Sequence, residues 1–154
     1  MYQYDQGGLL LRLHPAKSAA GGVDASGSGS ESNGNGNWIK VGVEFYHGRP
    51  YCSTVGTDRW SDWSIYPVNG EGEVVVEVVK EGDELGNSLW VYLVKPGGDN
   101  GAKEERFPVR EICWACADLE TEVEVGAYCC RPGEEGGELK VGFRGFVVER
   151  VEGE

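Results

Sequence analysis

Five side chains carry most of the recognition chemistry in this sequence: Trp38, Lys40, Glu44, Asp62 and Trp63. The first three fall at alternating positions of NWIKVGVEFYHG (Asn37 to Gly48), and Ile39, Val41, Val43 and Phe45 hold the other set. A period of two is the mark of a strand with one buried and one open face. The open row would place an indole ring, an ammonium and a carboxylate in line, with Gly42 leaving room for a ligand. A Trp face stacks on the apolar side of a sugar ring, and Lys and Glu hydrogen-bond hydroxyls. The plainer alternative is a solvated sheet face, with cross-strand Lys–Glu pairs contributing ~0.2–1 kcal/mol each. Ser61-Asp62-Trp63-Ser64 reads either as a turn locked by side-chain hydrogen bonds or as Asp62 and Trp63 at the rim of the same groove.

Other constellations are weaker. Glu120, Glu122 and Glu124 alternate in LETEVEVGAY. Carboxyls at i and i+2 of a strand have about the spacing of a retaining glycosidase pair, ~5–5.5 Å. An acidic solvent face explains them equally simply. Cys113 and Cys116, with Cys129 and Cys130, have the count for a tetrahedral zinc site. Neighbouring residues of a strand point to opposite faces, however, so one ion could not easily collect both Cys129 and Cys130. Small buried hydrophobes are the better account. His14 and His47 are isolated, and the Gly clusters precede no helix that would cradle a phosphate. No catalytic residue, metal or other cofactor is assigned.

The elements that must position these residues read as β almost throughout. Tyr2 to Leu13 looks like a strand interrupted at Gly7 and Gly8. Trp38 to Tyr46 and Tyr51 to Thr57 look like a hairpin joined through His47-Gly48-Arg49-Pro50. Ser64 to Tyr66, Glu73 to Lys80, Leu89 to Val94, Arg106 to Ala117, Glu122 to Cys130 and Leu139 to Val151 complete the set, with REICWACADLE read as strand or loop. The turn signals NGEG, EGDELGN, KPGGDNG and RPGEEGG separate most of them. Many short strands between Gly/Pro turns predict a sandwich or jelly roll. Thirteen of the seventeen residues in Gly21 to Asn37 are Gly, Ser or Asn, which predicts a disordered loop insertion at about 16–37 between two strands.

At 154 residues the chain suits a single domain, 1–154. Its net charge of −12 argues against nucleic-acid backbones and anionic membrane surfaces as partners. No apolar run approaches the ~20 residues of a membrane span. The start, MYQYDQGG, lacks the basic and apolar regions of a signal peptide. With five cysteines, that predicts reduced thiols and a cytoplasmic protein.

YDQGGLLLRL (Tyr4–Leu13), WIKVGVEF (Trp38–Phe45) and SDWS (Ser61–Ser64) together resemble a domain-of-unknown-function family of the concanavalin A-like lectin/glucanase superfamily, whose fungal members carry the label "regulation of enolase". VREICW, GAYCCRP (Gly126–Pro132) and VGFRGFVVE (Val141–Glu149) match its later blocks, so the resemblance covers most of the chain. It implies an all-β, concanavalin A-like jelly-roll sandwich. Because this chain opens almost at the Tyr-Asp-Gln block, it implies one lacking its N-terminal strands. It further implies a non-enzymatic module that binds a glycan or sugar-like ligand in a concave groove through Trp38, Lys40, Glu44, Asp62 and Trp63. The alternatives are a protein-interaction module regulating a metabolic enzyme such as enolase, and a glycoside hydrolase using Glu120 to Glu124.

Overall fold

A computed structural model of the chain describes residues 1–14, 37–68, 73–98, 101, 103–116, 121–134 and 136–150. Its strands are β1 (Gln6–His14), β2 (Asn37–Tyr46), β3 (Arg49–Thr57), β4 (Ser61–Pro67), β5 (Val75–Asp83), β6 (Gly86–Lys95), β7 (Glu105–Ile112) and β8 (Glu122–Cys130). They form two antiparallel sheets: five strands in the order β4-β3-β2-β1-β8, and three in the order β5-β6-β7. The protein is an all-β jelly-roll sandwich, as the strand pattern predicts.

Alternation explains which side chains meet between the sheets. Leu11 and Leu13 of β1 and Ile39 and Val41 of β2 turn inward from the larger sheet. They meet Leu89 and Val91 of β6 and Ile112 of β7 from the smaller one. Ile39, Val41 and Val91 are fully buried. Burying such a side chain contributes about 1.5–3 kcal/mol. Cys52, on the same inner face, is also fully buried, and burial pushes its thiol up to about 11. At pH 7 it behaves as a small hydrophobe.

Several boundaries differ from the sequence reading for local reasons. The turn between β2 and β3 needs only His47 and Gly48, whose φ angles of 47° and 81° are both left-handed. That is a two-residue type I′ turn, whose twist suits a hairpin. Gly7 and Gly8 do not interrupt β1; ladders on both sides, to β2 and β8, hold it straight. Cys113–Cys116 is a short 3-10 helix that tucks Ala115 into the core, where strand or loop was expected. The strand expected at 139–151 is absent over 139–150, the part that is described. Gly145 takes a φ of 61° and breaks the extended run. Val141 lies over Gly7, and Phe143, Phe146, Val147 and Val148 are exposed. The insertion expected at about 16–37 lies outside the described residues, except Asn37, which opens β2.

Candidate functional site

The outward face of the five-stranded sheet is built by the residues that alternate with the core set. Register places Gly42 beside Gly8 on one side and Ser53 on the other, with Glu44 beside Gln6 and Tyr51. Trp63 of β4 lies opposite Val55 of β3, and Tyr128 of β8 opposite Gly8. Gly8 and Gly42 sit so close that a Cβ on Gly42 would stand 2.2 Å from the Gly7 carbonyl oxygen. The pair therefore forms a side-chain-free floor.

Glu44 is the centre of the site. Only 5% of it is exposed. Ser53 Oγ donates to its Oε2 at 2.6 Å, and Trp63 Nε1 donates to the same oxygen at 3.1 Å. Trp63 Nε1 also lies 3.1 Å from Ser53 Oγ, closing a three-membered network across β2, β3 and β4. No donor reaches Oε1 among the described residues. Oε1 is not an orphaned buried atom, unlike Thr54 Oγ1 and Ser64 Oγ.

Around it, Tyr4, Lys40, Glu44, Val55 and Trp63 line a cleft of about 300 Å³. Tyr46 meets Trp63 edge-on, with ring centroids 5.3 Å apart, and Tyr4 at 5.8 Å. Lys40 reaches toward β1 and β8: Nζ donates to Gln6 Oε1, beside Glu44 in register, and lies 5.9 Å from the centroid of the Tyr128 ring. Burial, aided by the Glu44 charge, pushes the Tyr128 phenol up, so that ring stays neutral.

Tyr4 reaches the cleft from a strained backbone, with φ of 65°. For a bulky non-Gly residue this costs of order 1–2 kcal/mol. What holds it there is Asp5. Phe45 N donates to the Asp5 carbonyl at 2.8 Å, and Tyr4 N donates to the Phe45 carbonyl at 2.7 Å. Arg131 grips the Asp5 carboxylate bidentately, through Nε and Nη2 at 2.7 Å each. The guanidinium holds the Asp5 carboxyl down at about 2, below its ordinary 3.8. A depressed carboxyl stabilises the fold fully above its unfolded value, and that contribution is lost as pH falls through the folded one. Thermal melting between pH 5 and pH 2 checks this. Asp5→Asn should be less stable at pH 5 and lose less on acidification than the parent. Equal losses in the two proteins would contradict the assignment.

The structure brings Lys40, Glu44 and Trp63 together, as the sequence suggests. It does not add Trp38 or Asp62 to them. Trp38 is on the correct face, but six residues from Glu44 along β2, ~20 Å at the rise of a strand. Asp62 points the other way. It pairs with Gly56, whose missing Cβ would face Trp114 and Ile112 in the interior. Its carboxylate bridges to Arg110 of the smaller sheet at 2.5 Å. Ser53, Val55, Tyr4, Tyr46, Gln6 and Tyr128 were missed, because nothing in a single strand names its neighbours. Of the glutamates at 120–124, Glu120 lies outside the described residues. Glu122 and Glu124 face outward on β8, with Glu124 3.4 Å from Arg12 and 3.5 Å from His14. Cys129 and Cys130 pair with Gly7 and Gln6, on opposite faces. Among the described residues no helix is long and apolar enough to cross a membrane.

The chain is similar to a curated protein of Emericella nidulans, "Uncharacterized protein AN7484", at 36% identity over 149 residues. The match takes in 96% of this chain and 62% of the relative, so the chain spans about six-tenths of that relative's length. A family model described as "Protein of unknown function (DUF1349)" matches residues 1–150. With the model matching nearly the whole chain, this protein belongs to the DUF1349 family.

Proposed function

We propose that the protein is a non-enzymatic binding module, of concanavalin A-like type, that takes a sugar ring into the cleft over Gly8 and Gly42. The observation that carries this reading is the Glu44 carboxylate, buried, tied through Oε2 to Ser53 and Trp63, and lining the cleft. A hydroxyl of the ligand donates to Oε1. Trp63 and Tyr4 supply aromatic walls beside the polar groups of Lys40 and Glu44. Catalysis fits less well, because among the described residues one carboxylate, Glu44, lines the cleft, where glycoside hydrolysis uses two. Trp38 lies further along the same face, where a second or third sugar unit of a longer chain would reach. Asp62 contributes only indirectly, by tying β4 to the smaller sheet beneath Trp63.

A glycan-array screen on purified protein tests this. Saturable binding is expected, lost in Trp63→Ala and in Glu44→Gln, and reduced in Trp38→Ala only for longer oligosaccharides. A flat array from a sample that melts cooperatively would overturn the glycan reading in favour of a protein partner, such as a metabolic enzyme of the enolase kind.

A further inference from the structure

Lys40 and Glu44 line one cleft, carry opposite charges, and do not pair. Neither makes an ion pair among the described residues. Each is instead held by neutral groups. Gln6 Oε1 and the Tyr128 ring draw Lys40 toward β1 and β8. Ser53 and Trp63 draw Glu44 toward β3 and β4. Lys40 reaches along the Gly8–Gly42 floor to Gln6, the cross-strand partner of Glu44. An ammonium and a carboxylate on one strand face would ordinarily collapse together or be solvated. Here both are partly or fully withdrawn from water, and each is hydrogen-bonded by neutral side chains.

The geometry points to a ligand that presents an anion to Lys40 and hydroxyl donors to Glu44. We infer that the cleft takes an acidic sugar, a uronate-type residue whose carboxylate meets Lys40 while its ring hydroxyls meet Glu44. This rests on the glycan reading above and adds the chemical class. Three donors are available on an ammonium, of which Gln6 occupies one. A carboxylate gains the stronger, charge-assisted bond from the others. A neutral hydroxyl would satisfy Glu44 equally well and leave the Lys40 charge uncompensated. The protein's net charge of −12 opposes any anion at long range. The preference must therefore come from contact with Lys40, at a range where salt competes directly.

The test is isothermal titration of the protein with glucuronate and galacturonate oligomers of two to four units, against glucose and galactose oligomers of the same lengths. The acidic oligomers are expected to bind about tenfold more tightly at low salt, and that ratio should shrink as salt rises. Lys40→Met keeps the length of the side chain and removes its charge; in it the ratio should fall to about one. Equal affinities in the parent protein, or a preference that survives Lys40→Met, would overturn the acidic-sugar assignment while leaving the glycan reading intact. Should Lys40→Met fail to fold, the salt dependence of the parent decides the same point. Failure of both ligand classes to bind a folded protein would overturn both readings together.

Discussion

Gly42→Ala is expected to lower the unfolding free energy by about 3 kcal/mol, the upper end of the usual cost of overpacking. The added Cβ would lie 2.2 Å from the Gly7 carbonyl oxygen, 2.6 Å from Gly8 Cα and 2.9 Å from the Gly7 carbonyl carbon. All three are backbone atoms of the neighbouring strand. No rotamer change can relieve the contact, so β1 and β2 must part locally and give up ladder hydrogen bonds. For a domain of this size the loss corresponds to a fall in Tm of roughly 6–12 °C. The same substitution raises the floor between Lys40 and Glu44, so ligand affinity should fall together with stability. Calorimetry on the single variant reads the first effect. A melting temperature within a degree or two of the parent would show that the strands do not approach as closely as described.

Ile39→Ala acts on the opposite face of the same strand. Ile39 is fully buried and belongs to the cluster that joins β1 and β2 to β6 and β7. Truncation there is expected to cost about 2–5 kcal/mol, from lost transfer free energy and the cavity left behind. Denaturant unfolding measures it through a shift of the midpoint at constant slope. Ile39→Val should cost only about 0.5–1.5 kcal/mol. If Ile39→Ala cost no more than Ile39→Val, the interior would be loose at this point and the two sheets would not be packed through it. Unlike Gly42→Ala, Ile39→Ala should leave ligand affinity nearly unchanged in the fraction that remains folded.

The two variants also mark what a single strand can reveal. Alternation in Trp38 to Tyr46 assigns Ile39 inward and Lys40, Gly42 and Glu44 outward, and the structure agrees, because a period of two has only two solutions. It does not say that Glu44 is buried. Outward-facing glutamate reads as a solvated residue. What covers it is Trp63, which arrives from two strands away by way of Val55 and Ser53. That placement depends on register, and register is not written in any one segment. Asp62 illustrates the same limit in reverse. Next to Trp63 in sequence, it faces the opposite side of the sheet and meets Arg110. Adjacency along the chain suggested a shared rim, and the pleat forbids it.

Local backbone chemistry was legible to different degrees. The EGDELGN turn fell where expected, between β5 and β6, and β8 matched its predicted limits. The Leu139 to Val151 stretch reads as a strand by composition, with its valines and phenylalanines. Strand propensity, however, describes a side chain's fit to a pleated, half-covered surface. Without neighbours on both sides the preference has nothing to act on, and Gly145 is free to turn left-handed. The strain at Tyr4 was not legible at all. It is imposed by Asp5 and Arg131, which meet only once the chain has folded.

The pairing of β1 with β8 has a consequence for how this protein is made. β1 to β4 are joined to one another by successive neighbours, and on the ribosome they emerge before β8. The outer edge of β1 then waits, with its amides and carbonyls unsatisfied, until β8 has been synthesised. Asp5 and Arg131, which seal that seam, stand 126 residues apart. Closing so long a segment is an entropic search that no hairpin can shorten. The late meeting of β1 with β8 should therefore slow refolding, and a ribosome-bound chain stalled before Glu122 should hold a sheet with an open, sticky margin.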